Sequence, residues 1–166
     1  SVATRLSLII GTGPGNYLKL SDDKVRGYKN FGNKLWNITR FVLTACEGEQ
    51  LIENFKEYAD GDETLRKERH ELMLDITLDM ENFRYYLAGE KLYHYAWHCF
   101  ADVILEESKK ILKEGTDAEK RSRKQLLLHT LDRLLRTLHP FMPFVTEEIW
   151  QEWKGGRSML MVESWL

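Results

Sequence analysis

At 166 residues, with 43% hydrophobic and 30% charged positions, the chain has the size and composition of one soluble domain with a real core. A formal net charge of −2 excludes a polycationic nucleic-acid binder of the histone kind, although clustered cations can still meet a phosphate backbone. No apolar run approaches the roughly 20 residues of a membrane span. Leu6 to Ile10 is too short for a secretory leader. Cys46 and Cys99 lie on separate apolar stretches without a CxxC, which fits a reduced intracellular protein with two buried thiols.

Almost every segment reads as helix. Val2 to Ile10 has the pattern of the end of a helix, and Gly11-Thr-Gly-Pro-Gly15 breaks it. Ser21 is the expected N-cap of a second helix, with Asp22 and Asp23 in its first turn, that runs to about Cys46 and is stopped by Gly48. A short amphipathic piece is expected over Gln50 to Tyr58, then a turn at Ala59-Asp-Gly-Asp62. Glu63 to Glu81 repeats apolar residues at Leu65, Leu72, Ile76 and Met80, and Asn82-Phe83 makes the junction to a long helix from Arg84 to Lys113. The core stripe of that helix is expected through Tyr86, Leu92 or Tyr93, Trp97, Phe100 or Ala101, and Ile104. Gly115 to Asp117 is a turn, Ala118 to His139 a further helix ended by Pro140, and Pro143 opens a short helix through Trp153. Lys154-Gly-Gly reads as a loop and Ser158 to Trp165 as a short extended strand. The fold class is therefore all-α, an antiparallel helical bundle with a short C-terminal strand.

The second helix carries the most chemistry. Tyr28, Phe31, Leu35, Ile38 and Val42 recur at spacings of three and four as a core-facing stripe. Arg26, Asn30, Asn33, Asn37 and Arg40 form a second stripe on the opposite side, with Lys34 and Trp36 at its borders. Asparagine is a poor helix former, about half a kcal/mol or more worse than alanine at each position. A helix that holds three of them in a row with guanidinia suits hydrogen bonding to a partner. The alternatives are a stripe packed on a polar neighbouring helix, or one that is simply solvated. Lys24, Arg26, Lys29, Lys34 and Arg40 make one basic cluster, and Lys120, Arg121, Arg123 and Lys124 a second that reads as a solvated face.

Other motifs carry less. Gly11 to Gly15 matches neither phosphate-loop pattern, and Pro14 removes a backbone donor, so it reads as a linker. His94 and His98 sit four apart beside Cys99, but Tyr95 stands where a zinc protease needs Glu, so packed or hydrogen-bonded histidines are expected and no metal site. No catalytic residue is assigned. Pro140 and Pro143 bracket Phe141 and Met142 as a rigid helix-to-helix corner with large apolar plugs.

Leu138-His-Pro-Phe-Met-Pro-Phe-Val-Thr-Glu-Glu-Ile-Trp150 resembles the signature corner of the anticodon-binding helical domain of class I aminoacyl-tRNA synthetases for valine, leucine, isoleucine and methionine. Tyr28 to Leu43 and Leu92 to Lys109 resemble the valine members most, and the likeness runs in order from Ala3 to Trp165. The resemblance implies that residues 1–20 are the end of a connecting helix and linker from a catalytic domain, and that 21–166 are the anticodon-binding domain. It implies a cytoplasmic, monomeric ligase that attaches valine to tRNA(Val) with ATP and magnesium. The ATP-binding motifs and the editing domain are not in this sequence, so the chain itself is expected to need no cofactor and to be non-catalytic. Its expected partners are the anticodon stem-loop and the catalytic domain of the same protein, with no membrane. Arg26, Asn30, Asn33, Lys34, Trp36, Asn37 and Arg40 are the RNA-binding residues the resemblance selects. The same module of a leucine or isoleucine enzyme, or a helical protein-interaction module, are the alternatives.

Overall fold

The structure is a computed structural model that describes residues 2–10 and 22–165, with side chains from 5–10 and 26–165. Gly11 to Gly15 and Ser21, expected as linker and N-cap, lie outside the described residues. The elements are α1 (Val2–Ile9), α2 (Asp22–Ala45), α3 (Asp60–Glu81), α4 (Tyr85–His94), a π-helical segment (Tyr95–Ile104), α5 (Leu105–Glu114), α6 (Asp117–Leu138), α7 (Pro143–Lys154) and a 3₁₀ turn (Leu160–Val162). Helix α6 is central. It packs on α2, α3, α4, α5 and α7, and α1 lies against α2, α4 and α7.

Local chemistry explains most boundaries. Thr116 caps α6 through a capping box with Glu119, its hydroxyl taking the Glu119 N–H while the Glu119 carboxylate takes the Thr116 N–H at 2.7 Å. Gly48 adopts φ 78° just past α2, and Gly155 ends α7 at φ 64°, a left-handed conformation that costs glycine nothing. Phe83 takes the same conformation at φ 58° in the α3–α4 turn. The turn is held by Asp79, whose buried carboxylate accepts from Arg84 Nε at 2.9 Å and Lys91 Nζ at 2.6 Å.

Four expectations are corrected. Gln50 to Tyr58 is irregular, because α6 side chains take its backbone groups: Gln125 donates to Gln50 O and accepts from Ile52 N, His129 Nε2 meets Ile52 O, and Ser122 accepts from Ala59 N. The expected turn at residues 59–62 is already helical from Asp60, since Asp62 is drawn inward to pair with Arg123 at 2.7 Å. Ser158 to Trp165 forms no strand: Glu147 accepts from the N–H groups of Leu160 and Met161, and Arg136 donates to Ser164 O. Among the described residues these donors and acceptors are met by side chains and not by a partner strand. The long helix from Arg84 is continuous but π-helical over Tyr95–Ile104, where buried pairs Tyr95/Ala96 and Phe100/Ala101 repeat at five, the step of i→i+5 bonding. Cys46 is buried, which pushes its thiol up to about 12, whereas Cys99 is only half-buried.

The Pro140–Pro143 corner behaves as expected. Phe141 and Met142 are fully inside the core, and His139 Nδ1 lies 2.9 Å from Thr146 Oγ1.

Candidate nucleic-acid interface

Helix α2 is anchored by the expected apolar stripe: Phe31, Leu35, Ile38 and Val42 are buried. Beneath its exposed side lies an aromatic layer in which Phe31 stacks near Trp97 at 6.2 Å and Tyr93 sits 4.8 Å from Phe31 and 5.9 Å from Tyr28. This layer joins α2 to α4 and the π segment, and fixes which face of α2 turns outward. At 100° per residue, Arg26, Asn30, Asn33, Asn37 and Arg40 fall within an arc of about 80° opposite the core stripe.

All five are exposed. Among the described residues their side chains make no hydrogen bond or ion pair, so the arrangement in which the stripe satisfies a neighbouring helix does not occur. The two border residues differ. Lys34 is half-buried, its Nζ 3.0 Å from Asp102 Oδ1 and 5.3 Å from the Trp97 ring centre. Trp36 is half-buried and packs against the core. The structure therefore separates five solvent-facing polar residues from two that are already engaged.

The stripe runs into a groove of about 740 Å³ formed by α2, α5 and α6. Its walls carry Arg40, Lys109, Lys113, Lys120 and Lys124, and its floor carries Phe41, Ala45 and Leu112. Lys109 is held by Glu106 at 2.7 Å, while Lys113, Lys120 and Lys124 form no ion pair among the described residues. The second basic cluster thus divides. Lys120 and Lys124 face the groove, Arg121 lies over Phe55, and Arg123 is buried against Asp62. Sequence reasoning missed Phe41 and the four lysines. Their helical spacing was visible, but that α2 and α5 both pack on α6 was not.

Chemically, amides can meet base edges, guanidinia and ammonium groups can meet phosphates, and an apolar floor between cations can receive an unstacked base. The histidine pair offers no comparable site. His94 and His98 are exposed with ring centres 5.2 Å apart, and His98 Nδ1 lies 3.5 Å from Asp102. Among the described residues no three His, Cys, Asp or Glu side chains gather as metal ligands.

Comparison with known proteins places the chain in a family. Residues 62–166 match the family described as the anticodon-binding domain of tRNA ligase. The chain belongs to that family. It is 37% identical to a valine–tRNA ligase of Corynebacterium glutamicum over 98% of this chain and 18% of that protein. A valine–tRNA ligase of Enterococcus faecalis is 37% identical over 97% of the chain, and one of Bacillus anthracis is 34% identical over 98%, each along 19% of its own length. The chain spans about a fifth of the length of the curated relatives it matches. In this anticodon-binding domain α5 and α6 lie within the family match, and the whole-chain relatives extend the likeness across α2.

Proposed function

We propose that this chain is the anticodon stem-loop binding module of a valine–tRNA ligase, with the α2 face and the adjoining groove as its RNA contact. The observation that carries the reading is a row of exposed amides and guanidinia without internal partners among the described residues, continuous with a cationic groove, in a chain of the anticodon-binding family. In this reading Asn30, Asn33 and Asn37 meet base edges, and Arg26 and Arg40 meet phosphates and bases. Phe41 supplies a surface for an unstacked base, with Lys113, Lys120 and Lys124 on the backbone. Lys34 and Trp36 position the face from its borders.

The rest of the reaction belongs to the longer ligase: valine is activated with ATP and magnesium by a catalytic domain to which residues 1–20 lead, in a cytoplasmic, monomeric enzyme. This chain holds the tRNA and performs no chemistry. The test is a fluorescence titration of the chain with the tRNA(Val) anticodon stem-loop and with one of altered anticodon. Binding that weakens with salt and is lost on the anticodon change is expected. Equal affinity for both RNAs, or none for either, contradicts the proposal.

A further inference from the structure

A second cationic site lies on another side of the bundle, where the 51–58 segment, α3 and α6 enclose a pocket of about 220 Å³. Among its lining residues is Arg69, only 7% exposed. The Arg69 guanidinium donates from Nη1 to Thr130 Oγ1 at 2.8 Å and, among the described residues, forms no ion pair. Thr130 takes one of its five N–H donors, and Arg69 lines the pocket. The other deeply buried guanidinium is treated differently: Arg123 lies 2.7 Å from the buried Asp62 carboxylate. A buried guanidinium without a counter-ion is costly, because burial removes the water that stabilised it. Burial is also what pulls the Arg69 pKa down; the phenols of Tyr95 and Tyr58 oppose that, and Arg133 and Arg66 add to it.

The pocket gathers more positive charge around Arg69. Arg133 lines it and, among the described residues, makes no side-chain hydrogen bond or ion pair. Arg66 also lines it but is held by Glu63 through two bonds of 2.7 Å. His70 and His129 complete the polar wall, and among the described residues Glu53 is the one acid of the lining, exposed and in no ion pair. Two un-neutralised guanidinia therefore meet one carboxylate at the rim.

We propose that this pocket binds a phosphate dianion, either orthophosphate or the terminal group of a phosphate monoester, with Arg69 and Arg133 as its ligands. Planar guanidinium forks match phosphate oxygens bidentately, and a dianion offsets both free charges. The volume is below the roughly 300 Å³ at which pockets begin to enclose drug-sized ligands, so it admits one phosphate group and not a whole nucleotide. Phe55 and Tyr58 are no base platform, since they pack edge-to-face at 4.8 Å and are capped by Arg121 and Arg66. The inference is independent of the RNA reading, because α2 contributes no residue to this pocket.

The test is calorimetric titration and thermal unfolding of the chain in potassium phosphate and in potassium chloride at matched ionic strength. Saturable 1:1 phosphate binding is expected, with a stabilisation that chloride does not reproduce. Arg133→Gln should weaken it at least tenfold; this half-buried residue has no side-chain bond to lose among the described residues, so the variant should fold. Arg69→Met should abolish binding, and Glu53→Gln should tighten it by removing the rim carboxylate. Glycerol 3-phosphate run beside orthophosphate distinguishes the sources: tighter binding of the ester assigns the pocket to a monoester, and tighter binding of the free ion to orthophosphate. Equal effects of phosphate and chloride, or wild-type phosphate affinity in Arg133→Gln, overturn the proposal.

Discussion

Replacing Lys113, Lys120 and Lys124 together by glutamine removes three groove cations that, among the described residues, no acid neutralises. Glutamine is nearly as good a helix former as lysine, and among the described residues none of the three side chains has a partner to strand, so stability should change by less than about 0.5 kcal/mol for each. The effect on RNA is calculable. Each phosphate contact to a single strand contributes about 0.7 to the slope of log K against log salt. Three lost contacts therefore reduce the slope by about 2, and at ~0.15 M salt that slope corresponds to roughly a 50-fold loss of affinity if base contacts are unchanged. Fluorescence anisotropy with a labelled anticodon stem-loop, from ~50 to ~400 mM KCl, measures both quantities. A control chain carrying Lys56, Lys67 and Arg157 as glutamine has the same net charge but an intact groove, and should keep the wild-type slope to within about one contact. If both triple variants shift alike, the groove is no contact and only net charge matters. If the slope holds while affinity falls, the lysines act through the fold and not on phosphates.

Asp62→Asn should cost about 3–5 kcal/mol, because it leaves the Arg123 guanidinium buried at 4% exposure without its counter-ion. At 2–4 °C per kcal/mol that is a fall of about 10 °C in calorimetric Tm. Combining Asp62→Leu with Arg123→Met should recover most of it, and a double variant no better than Asp62→Asn would refute the ion-pair account. Burial raises the Asp79 carboxyl, but hydrogen bonds from Lys91 and Arg84 outweigh it and hold its pKa below the ordinary range. Its contribution is thus present above the unfolded value near ~3.9 and is lost as pH falls through the lower folded value, so urea midpoints measured from pH 6 downward should drop more in the wild type than in Asp79→Asn. Gly89→Val should destabilise the chain by ~2 kcal/mol, since a Cβ there meets Ile10 Cγ1 at 2.9 Å and Phe141 Cε1 at 3.3 Å, and urea unfolding reads it directly.

The helices were legible in the sequence wherever periodicity and end signals agreed. Residues of α2, α3, α6 and α7 follow their 3.6-residue pattern to within a turn of the expected ends, since Gly48, Pro140 and Gly155 act through their own backbones. What failed depended on distant partners. Residues 50–58 have an amphipathic pattern, yet Gln125 and His129 claim their backbone from more than 70 positions away. The C-terminal segment has a strand's composition, but an edge needs a neighbour, and Glu147 supplies its bonds as a side chain.

The same distinction governs the site. The polar stripe of α2 was readable because one helix defines it, and its exposure follows from the apolar stripe opposite. The groove was unreadable because it takes Arg40 and Phe41 from α2, Lys113 from α5 and Lys124 from α6, and exists only once α2 and α5 both pack on α6. That docking depends on the π segment. Its five-residue step buries Phe100 and Ala101 together and turns Trp97 under Lys34, which closes the aromatic layer beneath α2. Strict α geometry across Tyr95–Ile104 would change the rotation at which α5 leaves the segment, and with it the direction of Lys109 and Lys113 relative to the α2 face. The irregular helix therefore brings a stripe visible in one segment together with cations from two others to form a single cationic surface.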